Sequence, residues 1–192
     1  MIIGFSTSSA WSSVAAIDPE KGVLWHGSEN APQGASGACL RLLEGMARES
    51  GLQLKDAELF VADLGPGSFT GVRVGVTLAK TFGYLFRRQV AGATSFDLIS
   101  SKQVVVLPSK KGEFFVRKPG IEPIRQVELP EGPFIGFGPG IENQVFPSAA
   151  RFYDILGQLV AKSAMEFAPE YLIEPSISIP KKPFVLNSGG NG

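Results

Sequence analysis

The glycine-rich stretch 65–71 is the part of the sequence most suited to bind a ligand, and it reads Gly65-Pro66-Gly67-Ser68-Phe69-Thr70-Gly71. The apolar residues 59–64 before it predict a buried strand, and residues from about Val72 to Arg87 predict a helix. A glycine-rich turn from a strand into a helix N-terminus is the general form of an anion site, because the free N–H groups and the helix dipole point at the turn. A purely structural turn is the alternative, since most helix N-termini bind no anion.

The glycine spacing does not match the familiar phosphate motifs. Gly65, Gly67 and Gly71 give G-x-G-x-x-x-G, whereas the dinucleotide fingerprint is G-x-G-x-x-G. Valine and arginine follow Gly71, where a P-loop requires lysine and then serine or threonine. Ser68 is not at the centre of a G-x-S-x-G nucleophile elbow. Spacing alone therefore leaves a structural turn and a ligand or partner role both open.

The only histidine and the only cysteine offer little catalytic chemistry. His26 has no carboxylate or cysteine at ligand spacing, so a position on a surface strand is favoured over a metal or triad role. Cys39 lies among apolar helix residues, which favours a buried, inert thiol. A single cysteine excludes an internal disulfide and fits a reducing cytoplasm.

Composition narrows the class of protein further. The 192 residues suffice for one generous domain or two small ones, and 44% are hydrophobic, as expected for a packed core. Lys+Arg and Asp+Glu are both 18, so the chain lacks the basic excess of a protein that grips nucleic acid by itself. No apolar run approaches the roughly 20 residues of a membrane span, and the N-terminus lacks signal-peptide features. The expectation is a soluble, cytoplasmic protein that does not enter a membrane.

The first hundred residues predict one complete α/β unit. Three strands joined by tight turns predict an antiparallel meander, and a strand–helix–strand arrangement follows the first helix. The predicted elements are strands 2–7, 13–17 and 23–27, helix 36–50, strand 59–64, helix 72–87, strand 89–93 and a helix start at 94–97.

The later part of the chain predicts a second, smaller unit. Its elements are a hairpin of 104–107 and 113–117, a strand at 133–137 and a helix at 148–164. We expect an N-terminal lobe at 1–100, a reduced C-terminal lobe at 101–180, and a mobile tail at 181–192.

The predicted helix 72–87 has an apolar arc too wide for burial on one side only. Its polar stripe is narrow, and Gly75, Ala79 and Gly83 are spaced four apart, which would let another backbone come close. The helix is therefore predicted to be covered on more than one side.

Residues 65–75 resemble the characteristic stretch of the bacterial TsaB (YeaZ) family, in the glycoprotease-like branch of the actin/Hsp70/sugar-kinase (ASKHA) superfamily. Weaker similarities follow in the family's order at 2–17, 51–56, 90–96, 110–115 and 169–172. The resemblance implies an actin-like α/β fold, related to ribonuclease H, with mixed sheets, flanking helices and two lobes.

Two positions depart from the family pattern. Members usually have an acidic residue where this chain has Ser6, and many have a histidine near Ala35 or Ser36. In nucleotide-hydrolysing relatives the opening aspartate helps to organise metal and phosphate, so Ser6 argues against independent ATP hydrolysis.

The resemblance implies a non-catalytic scaffold rather than an enzyme. Members of the family pair with TsaD, which makes threonylcarbamoyladenosine (t6A) at position 37 of ANN-decoding tRNAs, and the ATPase TsaE joins that pair. Members also form homodimers, and tRNA is contacted only indirectly. No metal or tightly bound cofactor is implied, and ATP or ADP could bind only at a complex interface. The alternatives are a divergent actin-like ATPase or kinase, and a glycoprotease-like peptidase.

In the family the pairing surface lies on the two helices of the N-terminal lobe. That placement predicts interface contributions from residues on both helices, namely Leu40, Leu43, Met46, Val76, Ala79 and Phe82. The alternative for each of them is the chain's own core. For residues 65–71 a backbone role comes first, and Arg73 is the candidate for a polar contact to a partner or a nucleotide phosphate.

Overall fold

The computed structural model describes residues 1–110 and 112–168, and its larger sheet has the strand order β3-β2-β1-β4-β5. The strands are β1 (Ile2–Ser6), β2 (Trp11–Asp18), β3 (Gly22–Asn30), β4 (Leu59–Asp63) and β5 (Gln89–Ala93). The first three form the predicted antiparallel meander, while β4 pairs in parallel with both β1 and β5. The parallel pairing brings the carboxyl ends of β1, β4 and β5 to one edge of the sheet.

Two helices cover one face of this sheet and a 3₁₀ helix covers the other. Helices α1 (Ala35–Ser50) and α2 (Phe69–Phe86) enclose the main core with the apolar side chains of the strands. On the opposite face the 3₁₀ helix Ala149–Gln158 inserts the fully buried Phe152 against Gly4 of β1. The expected α/β class with flanking helices is confirmed.

The smaller sheet has the order β8-β7-β6-β9. Its strands are β6 (Val105–Pro108), β7 (Phe114–Arg117), β8 (Ile124–Gln126) and β9 (Ile135–Gly136). β6 and β7 form the predicted hairpin. β8 was not predicted, because its three residues lie in a segment punctuated by prolines. Residues 94–99 form a turn, not the start of a longer helix, and this turn contributes Phe96 and Ile99 to the core beneath this sheet.

The predicted helix 148–164 is wrong in both type and length. Residues Ala149–Gln158 form a 3₁₀ helix, which is interrupted at Ile155 by a non-helical φ of −127°. The chain then turns back along β5, where Lys162 and Val90 exchange two backbone hydrogen bonds of 2.7 and 3.0 Å. Residues 149–168 thus pack on the first sheet, although they follow the second in sequence.

The similarity at 169–172 and the predicted tail at 181–192 lie outside the described residues. Within the described part of the chain, no helix combines the length and apolarity that crossing a membrane requires.

Candidate functional site

The glycine-rich stretch connects β4 to α2 at the edge of the larger sheet. α2 begins at Phe69 rather than at Val72, because Ser68 acts as its N-cap. The Ser68 hydroxyl accepts a hydrogen bond from Gly71 N at 3.2 Å, which satisfies one of the first N–H groups of the helix. Gly65 has a φ of +91°, a left-handed conformation that favours glycine, and the Gly65–Pro66 peptide is cis.

The turn between β1 and β2, residues 7–10, occupies the space in front of α2. Ser68 N donates a 2.7 Å hydrogen bond to Ser8 O. The Thr7 hydroxyl donates to Gly71 O at 2.7 Å and accepts from Gly75 N at 3.1 Å. Oxygen atoms of the chain itself thus accept hydrogen bonds from N–H groups that an anion site would use to bind its ligand.

The close packing explains why glycines are needed here. A Cβ on Gly71 would lie 1.9 Å from Thr7 O, and a Cβ on Gly67 would lie 2.2 Å from Ser8 O. A Cβ on Gly75 would lie 2.7 Å from Thr7 Oγ1. Of the two interpretations of the stretch, this geometry supports the structural turn.

Ser68→Ala tests the contribution of the cap. We expect a loss of about 1 kcal/mol in the free energy of unfolding, the usual cost of removing an N-cap hydroxyl. Urea unfolding followed by circular dichroism measures this loss of stability. Thr70→Ala is the control, because Thr70 is also exposed and lies two residues after Ser68. An unchanged midpoint for Ser68→Ala would show that the hydrogen bond from Gly71 does not stabilise α2.

Arg73 lies on the exposed side of the first turns of α2. Its guanidinium stacks over the Phe69 ring, with the central carbon 3.8 Å from the ring centroid. The predicted role of Arg73 in a polar contact stays a prediction.

A buried carboxyl group that the sequence analysis did not single out lies beside the glycine-rich turn. Asp63 ends β4 and is fully buried. Its oxygens form hydrogen bonds with the hydroxyls of Ser6, Ser8 and Ser95 and with the N–H of Gly65. The resemblance to the TsaB (YeaZ) family predicts an acidic residue at Ser6, and the Ser6 hydroxyl lies 2.8 Å from Asp63 Oδ2. A carboxyl group is therefore present at this edge, supplied by the neighbouring parallel strand.

A cleft of about 540 Å³ opens next to this turn, between the two sheets. Its charged lining residues among those described are Asp97, Arg117 and Glu122. Arg117 forms an ion pair with Asp97, donates to Ser100 O at 2.7 Å and packs against the Phe96 ring. The one arginine of this lining is thus already neutralised, which makes the cleft poorly suited to a polyphosphate.

Most of the predicted interface residues are packed inside the chain. Leu43, Met46, Val76 and Ala79 belong to the main core, and Ala79 has no exposed surface. Phe82 is half-buried in an aromatic cluster, with ring centroids 6.1 Å from Phe5, 5.7 Å from Phe60 and 6.4 Å from Phe86. Leu40, in contrast, is 51% exposed.

The helices also expose apolar residues that the sequence analysis did not name. On α2 the side chains of Tyr84 and Leu85 are 74% and 64% exposed. The close approaches at Gly75 and Gly83 are made by Thr7 and Val90, so the glycine side of α2 packs on the chain's own larger sheet. The outer surface of α1 and α2 therefore presents Leu40, Tyr84 and Leu85 as exposed apolar side chains.

His26 and Cys39 are placed as predicted. His26 is exposed on β3, where Nε2 lies 3.2 Å from the Ser148 hydroxyl. Cys39 is a free, buried thiol, and burial, with a smaller contribution from the Glu29 carboxylate, raises its pKa to about 12.

We expect Cys39 to resist alkylation in the native protein. With a pKa of about 12, its thiolate fraction at pH 8 is on the order of 10⁻⁴, and burial also blocks access. Iodoacetamide labelling followed by mass spectrometry should be at least about 100-fold slower in buffer than in denaturant. Equal rates would contradict the buried position.

Two comparisons with known proteins agree with this geometry. A family model described as "TsaD: tRNA N6-adenosine threonylcarbamoyltransferase" matches residues 29–109. An uncharacterized Pseudomonas aeruginosa protein with similarity to peptidase YEAZ superposes with a TM-score of 0.74 at 15% identity, covering 90% of this chain and 99% of that one. YeaZ from Pseudomonas aeruginosa superposes with a TM-score of 0.68 at 16% identity, covering 89% and 99%. No curated protein sequence matches the chain.

The fold is thus that of the YeaZ-like α/β proteins, and residues 29–109 are similar to the TsaD family model. Together the matches confirm the resemblance to the TsaB (YeaZ) family.

Proposed function

We propose that this chain is the non-catalytic partner subunit of a TsaD-type enzyme that forms t6A at position 37 of ANN-decoding tRNAs. The main observation behind the proposal is that residues 7 and 8 of the chain occupy the space in front of the glycine-rich turn, where an anion would bind. Ser68 N and Gly75 N donate to oxygens of residues 7 and 8, so the stretch holds the base of α2 against the sheet. In this role the motif fixes the pose of a helix that a partner contacts.

The proposed pairing surface is the outer side of α1 and α2. Leu40, Tyr84 and Leu85 offer exposed apolar area there, and aromatic residues with large exposed surfaces are frequent anchors of interfaces. α2 and the residues just after it also carry cations and no exposed carboxylate: Arg73, Lys80, Arg87 and Arg88. A partner surface with carboxylates around an apolar centre would complement this side.

The further parts of the proposal concern the other components of the system. TsaE is proposed to join the pair, and the isolated chain is proposed to form homodimers through the same helices. Contact with tRNA is proposed to be indirect, consistent with the formal net charge of zero. ATP or ADP is proposed to bind only where the partner completes a site, because the arginine lining the cleft is already paired with Asp97.

Size-exclusion chromatography and isothermal titration calorimetry with the TsaD of the same host test the pairing. A stable heterodimer is the expected result, and no heat of binding at micromolar concentrations would contradict it. The same preparation separates the alternatives. Magnesium-dependent ATP hydrolysis by the pure chain would favour an ATPase or kinase, and digestion of casein or a glycoprotein would favour a peptidase.

A further inference from the structure

Asp63 belongs to a closed cluster of five polar contacts. Its Oδ2 lies 2.8 Å from Ser6 Oγ and 2.5 Å from Ser8 Oγ. Its Oδ1 lies 2.6 Å from Ser95 Oγ and 2.9 Å from Gly65 N. The fifth contact joins the hydroxyls of Ser8 and Ser95 at 2.9 Å. The cluster therefore links the ends of β1 and β4, the 7–10 turn and the 94–99 turn.

Counting hydrogens shows that an ionised carboxylate cannot complete this cluster. Each contact needs one hydrogen, while the three serine hydroxyls and the Gly65 N–H supply four for five contacts. A protonated Asp63 supplies the fifth. In a consistent arrangement Asp63 Oδ2 donates to Ser8, Ser8 donates to Ser95, and Ser95 donates to Oδ1. Ser6 and Gly65 then donate to the two carboxyl oxygens.

Among the described residues, the surroundings of Asp63 contain no charge that would stabilise an anion. Residues 1–17 and 64–72 carry no charged side chain, and β5 carries none either. The 94–99 turn contributes only Asp97, which is paired with Arg117 of β7, and the nearest cation along α2 is the exposed Arg73. Among the ion pairs of the described residues none includes Asp63. Burial therefore raises the pKa of Asp63 above its ordinary value, although the four hydrogen bonds to its oxygens act in the opposite direction.

We propose that Asp63 is a neutral, protonated carboxylic acid in the folded protein at neutral pH, and that loss of its proton loosens this junction of strands and turns. Deprotonation would remove one hydrogen from the cluster and leave an unpaired charge at a site with no solvent exposure. The junction lies under the N-terminus of α2 and beside the cleft. The stability of the chain where its two sheets meet would therefore depend on pH.

The sign of the pH dependence follows from the raised pKa. Below the ordinary value of 3.8, Asp63 is protonated in both states and its contribution to stability is fully present. Above it, the unfolded chain ionises while the folded chain keeps the proton. The unfolding equilibrium constant should therefore rise by up to about tenfold per pH unit from this group, until the pH passes the folded-state pKa.

Asp63→Asn is the matched variant, because its amide can donate to Ser6 and Ser8 while its oxygen accepts from Ser95 and Gly65. Urea unfolding of both proteins should be measured between pH 4 and pH 9. We expect the ratio of the unfolding constants, natural chain over variant, to increase with pH before it levels off. A ratio that falls with pH, or that stays constant throughout, would overturn the proposal.

A second measurement on the natural chain keeps the test decisive if the variant does not fold. Carbon-13 NMR of protein labelled at aspartate carboxyl carbons reports protonation directly, because the chemical shift of this carbon differs between acid and carboxylate. At pH 7 we expect the Asp63 resonance at the position of a protonated acid. A carboxylate shift for Asp63 at that pH would overturn the proposal.

Discussion

Replacing Gly71 with alanine is expected to destabilise the fold by at least about 4 kcal/mol, or to prevent folding altogether. The new methyl group would lie 1.9 Å from the carbonyl oxygen of Thr7, and both residues are buried. Neither residue can move away easily, since Gly71 lies in the first turn of α2 and the Thr7 hydroxyl is hydrogen-bonded to both Gly71 and Gly75. A loss of this size is a large part of the 5–15 kcal/mol by which domains are usually stable.

Gly157→Ala is the matched control, because a Cβ at that position meets nothing within 4 Å. It should leave the free energy of unfolding within about 1 kcal/mol of the natural chain. Urea unfolding and the yield of folded protein measure both variants. If Gly71→Ala unfolded at the same urea concentration as the natural chain, the packing of the 7–10 turn against α2 would be refuted.

Introducing glutamate at Leu40 or Leu85 is expected to weaken pairing with the TsaD partner at least about 30-fold, corresponding to about 2 kcal/mol. Both side chains are more than half exposed, so the fold should change in stability by no more than about 0.5 kcal/mol. In the complex, however, a carboxylate would be buried without a counter-ion in the proposed interface. The Leu40 variant tests α1, and the Leu85 variant tests α2.

Val127→Glu provides the control for surface hydrophobicity. Val127 is also an exposed apolar residue, but it follows β8 at the edge of the smaller sheet, away from α1 and α2. Titration calorimetry with the partner should give the same affinity for this variant as for the natural chain. If Leu40→Glu and Leu85→Glu both bound as tightly as Val127→Glu, the helices would not be the pairing surface.

The first sheet could be predicted because its signals are local. The short apolar runs and the turn residues 18–22 define the meander, and Gly51 ends α1 with a φ of +72° as a C-cap glycine does. The start of α2 was missed because Ser68 can serve either as part of the glycine-rich turn or as an N-cap. Only the bond from Gly71 N decides between these roles.

The Asp63 cluster could not be predicted, because its members are far apart in sequence. Ser6 and Asp63 are separated by 57 positions, and Ser8 and Ser95 by 87. Only the parallel pairing of β1 with β4 and of β4 with β5 brings their ends together. The run of small hydroxyl residues after Phe5 was the one signal of a buried polar junction, since such residues rarely end a buried strand without partners.

The sequence alone does not show which residues of α2 stay exposed for the proposed interface. The apolar arc of α2 is wider than one sheet covers, and the sequence does not show that residues 164–167 of the same chain cover part of the rest. Ala164 lies near Gly83, and Phe167 is buried in the main core. The predicted Val76 and Ala79 therefore face inward, while Tyr84 and Leu85 remain outside.

The most direct test of the proposed function is t6A formation on tRNA by the host's purified TsaD, measured with and without this chain. We expect that the chain alone forms no t6A, that TsaD with its other components forms little without it, and that activity rises to saturation at one chain per TsaD. Full activity of TsaD in the absence of the chain, or t6A formed by the chain alone, would contradict it.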